Sequence, residues 1–141
     1  MIIMILAIVK DLFFESKIKE TAFQLKKDAV FIKNKAGLDD FFKRYGNDKD
    51  GKENNKISDD LKNIGMIKNI ELMIIDLNFD EIIPLETIQK IKNNKYLKNK
   101  KIIAYCPHIQ AELMKKAKEL GAEAMPRSLF AKRLAEMIKQ E

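Results

Sequence analysis

Apolar and polar residues alternate in blocks along the chain, and the blocks are of two kinds. Short apolar runs without polar interruption are typical of strands buried on both faces of a sheet. Five such runs occur, at residues 1–9, 28–33, 71–76, 101–106 and 122–125. The segments between them predict helices. Strand and helix alternating five times predict an α/β domain in which helices cover both faces of a parallel sheet.

The helical segments are recognised by apolar residues that recur every three or four positions. The predicted helices cover residues 13–27, 38–45, 85–92, 108–120 and 129–140. Pro84 and Pro107 precede the third and the fourth, and proline is tolerated in the first turn of a helix. Gly121 is expected to end the fourth helix, and Ser128 is expected to cap the last one.

One polar segment, residues 46–60, interrupts this alternation. Its turn-forming residues predict a surface insertion within a single domain that spans residues 1–141. Its DKDG sequence matches part of an EF-hand calcium loop. With Gly51 as the sixth loop position, however, Gly46 and Ile57 occupy the first and last ligand positions, where neither side chain can bind calcium. The spacing therefore argues against a calcium site.

Composition and the N-terminal residues indicate a folded protein without a membrane segment. The chain has 141 residues, of which 46% are hydrophobic, and this fits one domain with a substantial core. The apolar run 1–9 is too short to span a bilayer and lacks the basic start of a signal peptide. The single cysteine, Cys106, cannot form an internal disulfide. We therefore expect a cytoplasmic protein with no membrane partner.

The formal net charge of +6 makes a basic nucleic-acid-binding module an alternative. The most basic stretch is residues 90–101, with Tyr96 available to stack on a base. It has one aromatic residue and no recognised DNA- or RNA-binding motif, so we expect it to be a solvated helix end and loop. The sequence therefore argues against nucleic acid as a partner.

Polar groups follow the predicted strands at the edge where parallel strands end. Lys10 and Asp11 follow the first strand, Asp76 ends the third with Asn78 just beyond, and Cys106 ends the fourth. Ligands of parallel α/β sheets bind at this edge. Asp76 is therefore a candidate functional carboxylate, with a strand-terminating acid as the alternative. Asp11 is either a site residue or an acid that favours a helix N-terminus.

Three other functions at this edge have less support from the sequence. His108 is the only histidine and stands in a predicted first helical turn, where a surface role is more common than phosphorelay or pH sensing. Cys106 as a redox thiol lacks a second cysteine. A flavodoxin-like cofactor binder would need a glycine- or threonine-rich phosphate loop after the first strand, and the sequence there is KDLFFESK.

Four motifs resemble the receiver domain of two-component response regulators. IVKDLF (8–13) is similar to the strand followed by two acids, and IIDLN (74–78) to the strand that ends in the phosphoacceptor aspartate. IIAYC (102–106) is similar to the strand that ends in threonine or serine, and GAEAMPRSLF (121–130) to the last strand and its lysine loop. The resemblance covers almost the whole chain apart from residues 46–60. It implies a flavodoxin-like three-layer sandwich with a five-stranded parallel sheet in the order 2-1-3-4-5.

The resemblance also implies which residues would form a phosphorylation site. Asp76 would be the phosphoacceptor. Asp11, Asp76 and the backbone carbonyl of Asn78 would be the protein ligands of Mg²⁺, which neutralises charge on the transferred phosphoryl group. Receivers complete the site with a hydroxyl and a lysine ammonium that bind phosphoryl oxygens.

Three of these family positions carry another residue type in this chain. Cys106 stands at the hydroxyl position, Ser128 at the lysine position with Arg127 just before it, and Lys10 at the first acid. In one interpretation the two acids still bind Mg²⁺ and Arg127 is a substitute cation. In the other, the Lys10 ammonium lies between the acids and replaces the metal. We favour the second interpretation.

The resemblance implies a stand-alone signalling domain that acts through protein–protein contact, and the substitutions predict a degenerate phosphoacceptor site. Its chemistry would be limited to Mg²⁺-dependent self-phosphorylation and dephosphorylation at Asp76. The alternative is a working phosphoacceptor that a histidine kinase phosphorylates. A histidine kinase or an output protein is the implied partner. The implied contact face is Ile109–Leu120, Ala122–Met125 and Leu129–Lys139.

Overall fold

The computed structural model describes residues 4–45 and 69–139, and their fold is a three-layer α/β sandwich. The strands are β1 (Met4–Ile8), β2 (Asp28–Ile32), β3 (Ile70–Asp76), β4 (Lys101–Cys106) and β5 (Glu123–Pro126). All neighbours pair in parallel, in the order β2-β1-β3-β4-β5. The expected fold class and strand order are confirmed.

Two helical layers cover the sheet, one on each face. The helices are α1 (Leu12–Gln24), α2 (Lys35–Tyr45), α3 (Pro84–Lys92), α4 (Ala111–Glu119) and α5 (Arg127–Lys139). Buried residues of α1 and α5 share one core cluster with one face of the sheet, and those of α2, α3 and α4 share the other cluster. The sheet is therefore buried on both faces, as its uninterrupted apolar strands predict.

Side chains alternate between the two faces of the sheet, so the position of a residue in its strand determines which helical layer its side chain contacts. Leu72 and Ile74 of β3 and Ile103 of β4 lie in the α1–α5 cluster, whereas their immediate neighbours lie in the other cluster. Since side chains alternate with a period of two, Asp76 and Tyr105 belong to the α1–α5 side. The two residues are also register partners in the β3–β4 ladder.

Three predicted helix starts are wrong by two or three residues. Helix α2 begins at Lys35 and not at residue 38. The fourth helix begins at Ala111 and not at residue 108, because Pro107 opens a turn in which the Gln110 N–H bonds to the Pro107 carbonyl at 3.0 Å. Strand β5 runs directly into α5, whose first residue is Arg127. Ser128 is therefore an exposed residue of the first helical turn and does not cap the helix.

The predicted insertion at 46–60, with its calcium-like sequence, lies outside the described residues. Within residues 4–45 and 69–139, no helix is both long and apolar enough to cross a membrane.

Candidate functional site

Asp11 links the end of β1 to the start of α1 at the carboxyl edge of the sheet. It is the N-cap of α1, and its Oδ1 accepts hydrogen bonds from the backbone N–H groups of Phe13 (2.8 Å) and Phe14 (3.4 Å). Such caps contribute about 1 kcal/mol and satisfy amide groups that the helix leaves free. The cap fixes the carboxylate, whose Oδ2 accepts a hydrogen bond from Nη2 of Arg127.

Asp76, the last residue of β3, is a buried carboxyl group with 6% exposure. Its Oδ1 accepts a hydrogen bond from the Asn78 N–H at 2.9 Å, and its Oδ2 accepts one from the Lys10 N–H at 3.4 Å. Burial raises the pKa of Asp76, because the charged form loses hydration, and the negative charge of Asp11 adds to the rise. The two backbone hydrogen bonds and the positive charge of Arg127 act in the opposite direction.

Arg127 supplies the cation of this site. It is the first residue of α5, its guanidinium forms an ion pair with Asp11, and the guanidinium carbon lies 5.2 Å from the centre of the Phe14 ring. The Arg127 side chain is 43% exposed and that of Asp11 is 24% exposed. The ion pair and the cation–π contact hold α5 against the N-terminus of α1.

An aromatic cluster lies beneath the two carboxyl groups. The ring centres of Tyr105 and Phe130 are 4.5 Å apart and stacked, and Phe14 lies 4.9 Å from Tyr105 and 5.3 Å from Phe130. Tyr105 is 1% exposed, and its hydroxyl makes no well-formed hydrogen bond in the described part of the chain, although it lies near the Asp76 carboxylate. Burial raises the pKa of Tyr105, and the charges of Asp76 and Asp11 add to the rise, so the phenol stays neutral.

Tyr105 is the site residue that the sequence analysis missed. It precedes Cys106 in a strand whose side chains alternate between the two faces of the sheet. Cys106 lies in the cluster under α2, α3 and α4, so its neighbour had to lie on the side of Asp76. Alternation was therefore a signal that could have identified it.

The structure does not bring Cys106 and Ser128 to the carboxylates. The Cys106 thiol is fully buried in the cluster on the opposite face of the sheet, 3.8 Å from the Gln110 carbonyl oxygen. Burial, and secondarily the charge of Asp76, raises the pKa of this thiol. Ser128 is exposed on the first turn of α5. The two substituted positions provide no hydroxyl or ammonium group at the site.

The expectation that Lys10 supplies the cation is corrected by the structure. Its backbone N–H donates to Asp76, but its side chain is exposed, and its ammonium forms no ion pair with either acid. Asp11 caps α1 with its side chain, whereas the Lys10 side chain projects into solvent. The cation bound to Asp11 in the structure is Arg127.

The residues present at this edge do not fit Mg²⁺, the ion that receiver domains use. A guanidinium is bound to Asp11, and each of the four oxygens of Asp11 and Asp76 already accepts a hydrogen bond. Mg²⁺ needs near-octahedral oxygen ligands at about 2.1 Å, and at Asp11 it would have to compete with the positive charge of Arg127. The described ranges contain no group of three or more histidine, cysteine, aspartate or glutamate side chains that could hold a metal elsewhere.

Asp76→Asn is expected to stabilise the protein at neutral pH. Because the pKa of Asp76 is raised in the native state, the native protein binds more protons than the unfolded chain above the ordinary value of 3.8. Stability therefore falls as pH rises through the raised pKa, and the neutral amide avoids this loss. Urea unfolding from acid to neutral pH measures the gain.

The matched control for this prediction is Asp39→Asn on α2, where the carboxylate is 55% exposed and pairs with Lys35. Its stability is expected to differ little from that of the wild type at any of these pH values. A gain at Asp76→Asn that is already complete in acid, or a loss at neutral pH, would contradict the role of burial.

Comparisons with known proteins support the fold. No protein-family model matches the chain, and no curated protein matches it. Solved receiver domains match almost all of it. A signal receiver domain of a two-component histidine kinase from Clostridium thermocellum has a TM-score of 0.70 at 17% identity, over 98% of each chain.

Two further structures agree with this match. The receiver domain of a DNA-binding response regulator from Colwellia psychrerythraea has a TM-score of 0.69 at 18% identity, over 98% of this chain and 96% of its own. A phosphorylated cyanobacterial phytochrome response regulator has a TM-score of 0.66 at 13% identity, over 99% of this chain and 91% of its own. The chain has the receiver fold.

Proposed function

We propose that this chain, which has the receiver fold, is a signalling module that acts through protein–protein contact and whose phosphoacceptor site has lost metal-dependent phosphorylation. The loss of metal-dependent phosphorylation is proposed from one observation. The guanidinium of Arg127 is bound to Asp11, one of the two carboxylates that would hold the metal.

The rest of the site supports the loss of phosphoryl transfer. Phosphoryl transfer needs positive charge and donors around the equatorial oxygens and an open line of approach to the nucleophile. Asp76 is 6% exposed and both of its oxygens accept backbone hydrogen bonds. The thiol of Cys106 lies on the other face of the sheet and Ser128 carries no charge. Among residues 4–45 and 69–139, the cation paired with a carboxylate of the site is Arg127, and it is bound to Asp11.

A receiver fold without phosphoryl chemistry can still bind other proteins. A histidine kinase or an output protein is the class of partner we propose, by analogy with the receiver domains that match the chain. Exposed apolar side chains occur on or beside the face formed by α4, β5 and α5, where Ile109 is 78% exposed and Leu129 is 38% exposed. Such side chains are common in protein contacts.

A second candidate is a working phosphoacceptor, and the exposure of Arg127 favours it. An arginine side chain that is 43% exposed has room to move away from Asp11. Its guanidinium could then bind a phosphoryl group on Asp76 through two hydrogen bonds. The phosphorylated phytochrome response regulator shows that a protein with this fold carries such a group.

Intact-mass spectrometry after incubation with Mg²⁺ and acetyl phosphate separates the two candidates. We expect no phosphate adduct on the wild type, because the guanidinium bound to Asp11 opposes metal binding and Asp76 is buried. An adduct that persists in Asp39→Asn and disappears in Asp76→Asn would overturn the proposal and establish the second candidate.

A further inference from the structure

Helix α1 exposes three large apolar side chains on one ridge. Leu12, Phe13 and Phe23 are 74%, 63% and 81% exposed, although the same helix buries Phe14 and Ile18 against the sheet. Exposed apolar side chains in such a group mark an interaction surface more often than scattered ones do. The outer ridge, as we call it, consists of these three residues with Ser16 and Glu20 between them.

The outer ridge is complementary to itself in an antiparallel arrangement. Leu12 and Phe23 are eleven residues apart, so they lie on the same side of the helix, separated by about 16 Å. The midpoint between them falls beside Ser16, a small residue that permits close approach of a second helix. When two copies of α1 pack antiparallel about this midpoint, Leu12 of each copy meets Phe23 of the other at both ends. A two-fold interface needs this kind of self-complementarity.

Charges near the midpoint favour the same arrangement. Lys17 lies on the flank of α1 that also carries Phe13, and its ammonium is 6.0 Å from the centre of that ring. Two-fold antiparallel packing brings this flank of one copy against the same flank of the other. Glu20 then lies beside Lys17 of the second copy, and the contact occurs twice. Opposite charges at such positions set the register of paired helices.

We propose that the outer ridge of α1 is a dimer interface, and that its occupant is the α1 of a second copy of this chain. The interface does not depend on phosphoryl chemistry, since its residues lie outside the set formed by Asp11, Asp76 and Arg127. The interface begins one residue after Asp11, so a dimer formed there would lie directly beside the candidate site. It differs from the α4–β5–α5 face, which stays free for another protein.

Sedimentation velocity over a range of protein concentrations tests this interface. The wild type is expected to shift from monomer to dimer, and Phe23→Ser is expected to weaken the dimer about tenfold or more, because it removes a large aromatic contact from both ends of the interface. Ile109→Ser, which removes a side chain of similar exposure from the turn before α4, is expected to dimerise like the wild type. Because Phe23 is 81% exposed, its replacement leaves the core intact.

Two experiments test how the two copies of α1 are aligned. Glu20→Lys is expected to weaken the dimer by opposing Lys17 of the second copy, and adding Lys17→Glu is expected to restore it. Ser16→Cys is expected to form a disulfide-linked dimer under mild oxidation, since paired Ser16 positions lie near the two-fold axis. Cys106 is fully buried, so the wild type is the blank, and Gln89→Cys on α3 is the control for an exposed thiol.

Three results would overturn the proposal. The first is a wild type that stays monomeric at every concentration, which would assign the outer ridge to another protein or to a membrane. The second is a dimer that Phe23→Ser leaves intact while Ile109→Ser disrupts it. The third is Ser16→Cys cross-linking no faster than Gln89→Cys.

Discussion

Replacing Tyr105 with alanine is expected to lower the free energy of unfolding by about 3–5 kcal/mol, whereas replacing it with phenylalanine is expected to raise it by about 1 kcal/mol. The ring is among the largest fully buried side chains and packs on Phe14 and Phe130. Alanine leaves a cavity between the sheet and the α1–α5 layer. Removing the hydroxyl alone has the opposite effect, because a buried polar group without a hydrogen bond destabilises the folded state.

Urea unfolding of the two variants beside the wild type measures both effects. The matched control is Tyr96→Phe, since the Tyr96 ring is 40% exposed and its hydroxyl loses little hydration on folding. We expect that control to change stability by less than about 0.5 kcal/mol. Destabilisation by Tyr105→Phe would mean that the hydroxyl donates to a group such as Asp76 in solution, which would contradict its isolation.

The second large effect concerns Arg127. Arg127→Gln is expected to increase the affinity for divalent or trivalent cations about tenfold or more, because it removes a positive charge beside Asp11 and frees one carboxylate oxygen. About 1.4 kcal/mol of relieved repulsion is enough for a tenfold change. Terbium luminescence excited through tyrosine suits this measurement, since Tyr105 packs against Phe14 beneath Arg127.

The control for this prediction is Arg133→Gln on the same helix. Arg133 pairs with Glu136 at 3.5 Å on the exposed side of α5, and its loss is expected to leave cation affinity unchanged. Adding Asp76→Asn to Arg127→Gln is expected to abolish the gain. Equal cation affinity in the wild type and Arg127→Gln would show that Arg127 does not keep the metal out.

The fold could be predicted from the sequence because its determinants are local and repeated. Each strand is a short, mostly apolar run, and the run that ends in Asp76 led directly to one of the two carboxylates. The acid after β1 was identified by the same reasoning. Asp11 is an acid at a helix N-terminus, as one of its two interpretations held, and it also pairs with Arg127.

The cation could not be chosen from the sequence because the choice depends on packing between distant segments. Lys10 adjoins Asp11 in the chain, whereas Arg127 is separated from Asp11 by 116 positions. The Lys10 side chain is exposed, although its backbone N–H donates to Asp76. The early start of α5, which the sequence placed after Ser128, brings Arg127 over Phe14. A shift of two residues in a helix start thus decided the identity of the cation.

A crystal structure of the wild type grown in millimolar Mg²⁺ tests the central claim, that an arginine takes the place of the metal ion, most directly. The account predicts that the guanidinium of Arg127 remains bound to Asp11 and that no metal lies between Asp11 and Asp76. A Mg²⁺ ion bound to both carboxylates, with Arg127 turned into solvent, would contradict it.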